Sequence, residues 1–189
     1  MALTPSNMLP LGTTAPAFQL PATDGKHYSL QSFAGSKLLL VMFICNHCPF
    51  VKHVKSELAA LGRDYEGKGV AVVAINSNDT VAYPADDMDH MRVEAQTSGF
   101  SFPYLLDADQ TVAKSYDAAC TPDFFLFDQG RKLVYRGQLD GSRPGNNIPV
   151  TGNDLRTALD TALADRAQSA EQKPSVGCNI KWKPGNEPV

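Results

Sequence analysis

The sequence predicts an α/β fold with a mixed central β-sheet flanked by helices, preceded by a β-hairpin and followed by an irregular C-terminal tail. Three observations predict it. Residues 37–44, KLLLVMFI, and 70–75, VAVVAI, are continuous apolar runs, the pattern of strands covered on both faces. Between them Val51, Val54, Leu58, Leu61 and Tyr65 recur at intervals of three and four, the stripe of an amphipathic helix, so the segment is a βαβ unit with parallel strands. Further on, DFFLFD and RKLVYRG flank Gln129-Gly130 and read as an antiparallel hairpin.

The elements follow in chain order. FQLPATDGKHYSLQSF reads as two short strands around an Asp24-Gly25 turn. The run 37–44 is the central strand, and Gly67 and Gly69 close the helix after it. Residues 77–99 are polar, with a helix expected around 87–97, and the insertion from about Asp79 to Gly99 is read as a solvated decoration, with a surface that shapes partner binding as the alternative. FPYLLD at 102–107 suits a short strand and DQTVAKSYD a short helix, and a turn-rich loop spans 141–152. Asn153 is expected to cap a last helix that shares Leu155, Leu159, Ala162 and Leu163 on one face. The organisation is thus an N-terminal arm over 1–11, one domain over 12–166, and a loop-like tail over 167–189 that carries Cys178 and Trp182.

With 189 residues and 43% of them hydrophobic, there is material for one core. The net charge of -3, with scattered lysines and arginines, gives no stripe for a nucleic-acid backbone. The first residues show neither a basic leader nor an apolar h-region, and no run approaches the ~18 apolar residues of a membrane span. The expectation is a soluble, cytoplasmic chain with no nucleic-acid or membrane partner, either monomer or homodimer.

The chemistry concentrates in FICNHCPFVKH, residues 43–53. Cys45, Cys48, Cys120 and Cys178 are too few for a disulfide scaffold, and in a reducing compartment a close pair is redox-active or metal-binding. A zinc site calls for a second close pair or paired histidines, and neither is present, so a redox dithiol without metal or cofactor is expected. Proline is tolerated among the first helical positions, and taking Asn46 as N-cap puts His47, Cys48 and Pro49 at the first three. Cys45 then lies at the helix mouth, where unpaired N–H groups and the macrodipole lower a thiol pKa, making it the attacking cysteine and Cys48 the resolving one. Asn46, as the cap, and His47, as a donor or cation, are the residues expected to tune the thiolate.

These motifs carry a resemblance. The G-x-x-A-P-x-F-x-L of Gly12 to Leu20, C-N-H-C-P at 45–49, C-T-P-D-F-F-L-F-D at 120–128 and S-V-G-C-N-I-K-W-K at 175–183 are together similar to the peroxiredoxin-like, redoxin branch of the thioredoxin superfamily. The resemblance implies a thioredoxin fold, a cis peptide before Pro122 beside the dithiol, and Thr121 orienting a substrate chain. It also implies that Cys120 approaches the active-site face. The sequence departs from its relatives in two ways. The strand entering the motif has no acidic residue, and Val41 and Cys45 stand where peroxidases place the proline and the hydroxyl that positions peroxide.

The reading is a thiol–disulfide oxidoreductase acting on protein or small-molecule disulfides and thiols. Its rivals are a thiol peroxidase, with Cys45 or Cys48 peroxidatic and Cys178 resolving, and a non-enzymatic sensor or metal-handling module built on Cys45, His47 and Cys48. Cys120 is either a small buried hydrophobe or an additional redox group. Cys178, on about 12 residues of chain at ~3.3 Å each, is able to reach any part of the domain.

Overall fold

The computed structural model describes residues 3–188. In chain order the strands are β1 (Leu3–Pro5), β2 (Gln19–Pro21), β3 (His27–Ser29), β4 (Leu38–Phe43), β5 (Val70–Asn76), β6 (Tyr104–Leu106), β7 (Cys120–Thr121), β8 (Asp123–Phe127), β9 (Leu133–Gly137) and β10 (Val176–Asn179). The helices are α1 (Pro49–Asp64), α2 (Met88–Ser98), α3 (Thr111–Ser115) and α4 (Asn153–Leu163).

The central sheet has the order β6-β5-β4-β8-β9. β4 runs parallel to β5 and antiparallel to β8, so the sheet is mixed and β4 lies at its centre. Its continuous apolar run has a simple cause. Leu38, Leu40 and Met42 face Val54, Leu58, Leu155 and Leu159 of α1 and α4, while Leu39, Val41 and Phe43 face Phe18, Phe33, Val112 and Tyr116. Every residue of β4 is at most 1% exposed. Complete burial of each such side chain is worth roughly 1.5–3 kcal/mol, which anchors whatever follows the strand.

The β2/β3 and β8/β9 hairpins, the βαβ unit and all four helices fall where the sequence puts them. The last helix begins differently. Gly152, in the left-handed region at φ 65°, is its N-cap and Asn153 is the first helical residue. The Asp140 carboxylate accepts from the Thr151 and Gly152 N–H groups at 2.7 Å each and so fixes the turn that leads into the helix, while the Leu155 N–H donates to the Leu139 carbonyl at 3.1 Å.

The larger correction concerns the tail. It is not loop-like throughout: β10 pairs with β1 on one side and β7 on the other, forming a second, three-stranded sheet from the N-terminal arm, the tail and the Cys120-Thr121 segment. The register sets Cys178 opposite Thr121 and Gly177 beside the Thr121 carbonyl. A Cβ at Gly177 would stand 2.0 Å from that oxygen, so only glycine lets the backbones approach this closely. A four-residue strand with glycine inside it has no alternation to read. Pairing on both edges creates it.

Candidate active site

At the end of β4 the Ile44 N–H still bonds the Ile75 carbonyl at 3.0 Å, continuing the sheet to the edge of the motif. The chain turns through residues 45–48 and enters α1 at Pro49. The N-cap is Cys48, with φ -65° and ψ 124°, and Pro49 is N1. This corrects the expected register, in which Asn46 capped the helix. Proline fits the first helical position best, and the residue before it is driven to extended ψ, so the cap falls on Cys48. Asn46 is engaged elsewhere. Its N–H donates to Asp86 Oδ1 at 2.8 Å, its side-chain amide donates to the Ala85 carbonyl at 2.8 Å, and its Oδ1 accepts from the Tyr104 hydroxyl at 3.0 Å.

The change of register moves the anion site. Cys48 Sγ, fully buried, now lies at the helix mouth and receives the Val51 N–H, together with hydrogen bonds from Cys45 and Cys178. The Cys178 sulfur is 2.8 Å away. The hydrogen bond from Cys45 is the largest influence, and despite burial the Cys48 pKa is pushed down to about 4. One contact opposes this: the Thr121 carbonyl, 3.2 Å from Cys48 Sγ, accepts only from the protonated thiol. The donors outnumber it. Cys45 moves the opposite way, its pKa raised because its proton is held in the bond to Cys48, because it is buried, and because the Asp86 charge is near. The two thiols are thus pushed in opposite directions, Cys48 down and Cys45 up, whereas the sequence led Cys45 to be expected as the lowered one.

Asp86 is the residue that sequence reasoning missed. It lies in the 3-10 turn Pro84–Asp86, inside the segment taken for a solvated decoration, yet it is fully buried. Its carboxylate accepts from the Asn46 N–H, from the Asn78 amide at 2.7 Å and from His47 Nδ1 at 2.6 Å. His47 is therefore turned toward Asp86 and stacked on Tyr83, with ring centroids 5.3 Å apart. A polar segment with one carboxylate among several gave no signal that this one turns inward.

Donor atoms of Cys45, His47 and Asp86 lie within 4.8 Å of one another, the spacing of a metal-ligand set. That set exchanges Cys48, expected in a metal-handling module, for Asp86. A cation there has to compete with the donors Asp86 already accepts, so the arrangement suits a hydrogen-bonded carboxylate better than a vacant ligand.

On the opposite side of the dithiol, the Thr121–Pro122 peptide is cis. Thr121 Oγ1 is 3.5 Å from Cys45 Sγ, and the backbone of Thr121 pairs with β10. The strand it orients in the structure is the chain's own tail. Cys120 is fully buried, its sulfur 3.6 Å from the Pro122 carbonyl, and burial followed by the Asp123 charge pushes its pKa far up. Cys178 is also buried, its pKa pushed up to about 12 chiefly by burial and then by its bond to Cys48. Structure therefore gathers Cys45, Cys48 and Cys178 into one cluster in contact with Thr121, whereas among the described residues Cys120 has no hydrogen bond to another sulfur. A cavity of about 490 Å³ lined by Lys37, Leu133 and Asp165 lies at the far end of β4 and contains no cysteine.

A mixed sheet with a CxxC dithiol between its central strand and the following helix, against a cis proline, defines a thioredoxin-fold protein. The chain belongs to the Redoxin family, whose model matches residues 10–155. An uncharacterized conserved protein from Geobacillus kaustophilus is 55% identical, with a TM-score of 0.96 over 98% of each chain. A hypothetical protein from Sinorhizobium meliloti 1021 is 52% identical, with a TM-score of 0.95 over 96% of this chain and all of the other. Among proteins of named activity, the thiol-disulfide oxidoreductase ResA of Bacillus subtilis is 28% identical over 123 residues, which cover 65% of this chain and 64% of that relative's length. No helix among the described residues is long and apolar enough to cross a membrane.

Proposed function

We propose that the chain is a thiol–disulfide oxidoreductase that reduces a disulfide in a protein or small-molecule partner while oxidising Cys45 and Cys48. One observation carries the reading: a CxxC pair at the mouth of α1, both of its sulfurs against the cis Thr121–Pro122 peptide, with Thr121 Oγ1 3.5 Å from Cys45 Sγ and the Thr121 carbonyl 3.2 Å from Cys48 Sγ. A thiolate is the nucleophile in disulfide exchange, and the pair supplies both electrons. Similarity to the ResA oxidoreductases adds support.

The opposite directions of the two thiol pKa values support roles in reverse of the sequence order. Cys48 attacks one sulfur of the partner disulfide, that S–S bond breaks, and the other partner sulfur leaves as a thiolate that takes the Cys45 proton. Cys45 then attacks Cys48 Sγ, the Cys45–Cys48 disulfide forms, and the second partner sulfur leaves and takes a proton from water. Asp86 keeps His47 fixed beside Cys45, and Thr121 Oγ1 contacts the Cys45 sulfur at 3.5 Å.

Turnover of a dye-labelled glutathione disulfide with dithiothreitol as reductant tests the reading. The protein is expected to reduce it well above background, Cys48→Ser to lose this, and the double variant Cys45→Ser with Cys178→Ser to stall as a mixed disulfide at Cys48. Background rate from the unaltered protein, or full rate from that double variant, contradicts it. A thiol peroxidase is a second reading, favoured by the charge on Cys48 and by Cys178 beside it. Stoichiometric peroxide consumption with sulfenate trapped at Cys48 selects it.

A further inference from the structure

Three thiols surround one bonding position, and the dithiol chemistry uses only two of them. Cys178 Sγ lies 2.8 Å from Cys48 Sγ, a contact between residues 130 apart in sequence. The contact is built by several independent features. β10 is paired on both edges, which fixes Cys178 opposite Thr121. Gly177 permits the close approach to Thr121. Ser175 ties the start of the strand down, its hydroxyl donating to the Pro122 carbonyl at 2.6 Å while its carbonyl accepts from the Ser6 N–H at 2.8 Å. Beyond the strand, Ile180 is 1% exposed and packs into the core. A loose tail thiol needs none of this.

We propose that Cys178 is a third redox cysteine, which exchanges with the Cys45–Cys48 disulfide to form a Cys48–Cys178 disulfide. This rests on the oxidoreductase reading, which supplies the starting disulfide. In the exchange Cys178 Sγ attacks Cys48 Sγ, the Cys45–Cys48 bond breaks, and the electron pair goes to Cys45, which ends with the proton that Cys178 loses. One disulfide and one thiol are present before and after, so no outside oxidant enters the step. Exchange demands that the attacking sulfur be placed against the disulfide, and β10 supplies that placement without any opening of the core. Its product staples the tail strand to the start of α1 and returns Cys45 to the thiol form. Oxidation is thereby moved from the motif to the sheet that covers it.

Linkage mapping tests the step on the full-length protein. After equilibration in a series of glutathione redox buffers and an acid quench, free thiols are blocked and the chain is cut with trypsin. Cys45 and Cys48 then share the peptide 38–52, Cys120 lies in 115–131, and Cys178 lies in 167–181. The Cys45–Cys48 disulfide leaves 38–52 alone and two hydrogens lighter, whereas Cys48–Cys178 joins it to 167–181. The joined peptide is expected in more than about a tenth of the oxidised protein, to become the main oxidised form in Cys45→Ser or Cys45→Ala, and to fall at least about tenfold in Cys48→Ser. Its absence while the 45–48 loop forms and disulfide substrate is still reduced overturns the relay and leaves the oxidoreductase reading intact. An equal yield of the joined peptide in Cys48→Ser, which assigns the link to Cys45, also overturns it. Background turnover by the unaltered protein contradicts the oxidoreductase reading instead, whatever the map shows.

Discussion

Two buried thiol sites lie on either side of the Thr121–Pro122 peptide, and they differ in every respect but burial. Cys48 has a helix mouth, two thiol donors and a pKa pushed down to about 4. Cys120 has a carbonyl acceptor, a nearby carboxyl group and a pKa pushed far up. The carboxylates beside them repeat the contrast. Asp86 accepts from a backbone N–H, an amide and an imidazole. Asp123 is fully buried with Oδ2 unpartnered among the described residues, and burial raises its pKa well above the usual carboxylate range. Burial alone thus gives a proton-retaining, inert group. Donors aimed at the buried atom give a charged and reactive one.

Exchanging the two cysteines for serine is the harshest way to break this comparison. Cys48→Ser is expected to lower disulfide reduction at least about 100-fold, because a hydroxyl does not supply the thiolate nucleophile. Cys120→Ser is expected to stay within about twofold in the same assay, and a loss matching that of Cys48→Ser would erase the distinction.

Gly177→Ala tests the enclosure of the active cluster. The added Cβ conflicts with the Thr121 carbonyl, so β10 has to shift, at an expected cost of about 1–3 kcal/mol in urea unfolding. Alkylation of Cys178 under native conditions should accelerate about tenfold or more. Unchanged stability and unchanged alkylation would mean that β10 does not hold that sulfur.

The carboxylates are expected to respond with opposite signs. Asp86→Asn keeps one acceptor oxygen but takes the other from two of the three donors, His47 and Asn78, and should destabilise by about 1–3 kcal/mol, and Cys45 should titrate lower once the nearby charge is gone. Asp123→Asn should stabilise the protein by about 1 kcal/mol at neutral pH. Because the folded pKa of Asp123 is raised, the stability it confers is present below the unfolded carboxylate value and is lost as pH rises through the folded value. The benefit of Asp123→Asn should therefore grow from pH 4 to pH 8 in urea unfolding, and a benefit that shrinks over that range would contradict a proton-retaining Asp123.

Much of the frame was legible in the sequence because β4 and β5 are apolar on both faces and α1 has a clear stripe. Local periodicity reports local burial. The dithiol was legible too, through its two cysteines at a strand-to-helix turn. Its polarity was not, since two residues of register decide whether Asn46 or Cys48 meets the helix mouth. Asp86 and Cys178 were hidden for a different reason. Their burial depends on partners 39 and 130 residues away, and neither a polar turn nor a short glycine-containing strand has a period that announces it.

The central claim is that the reduced protein carries one thiolate, on Cys48, well below neutral pH. A lowered folded pKa contributes stability that is present in full above the ordinary thiol value and is lost progressively as pH falls toward about 4, where the thiolate itself takes up its proton. Thiolate absorbance at about 240 nm, followed from pH 3 to pH 9 beside a far-ultraviolet signal for folding, measures the charge directly. The account predicts one thiolate with a midpoint near pH 4 in the unaltered reduced protein and none below pH 7 in Cys48→Ser. An absorbance that first appears above pH 7, or that persists unchanged in Cys48→Ser, would contradict it.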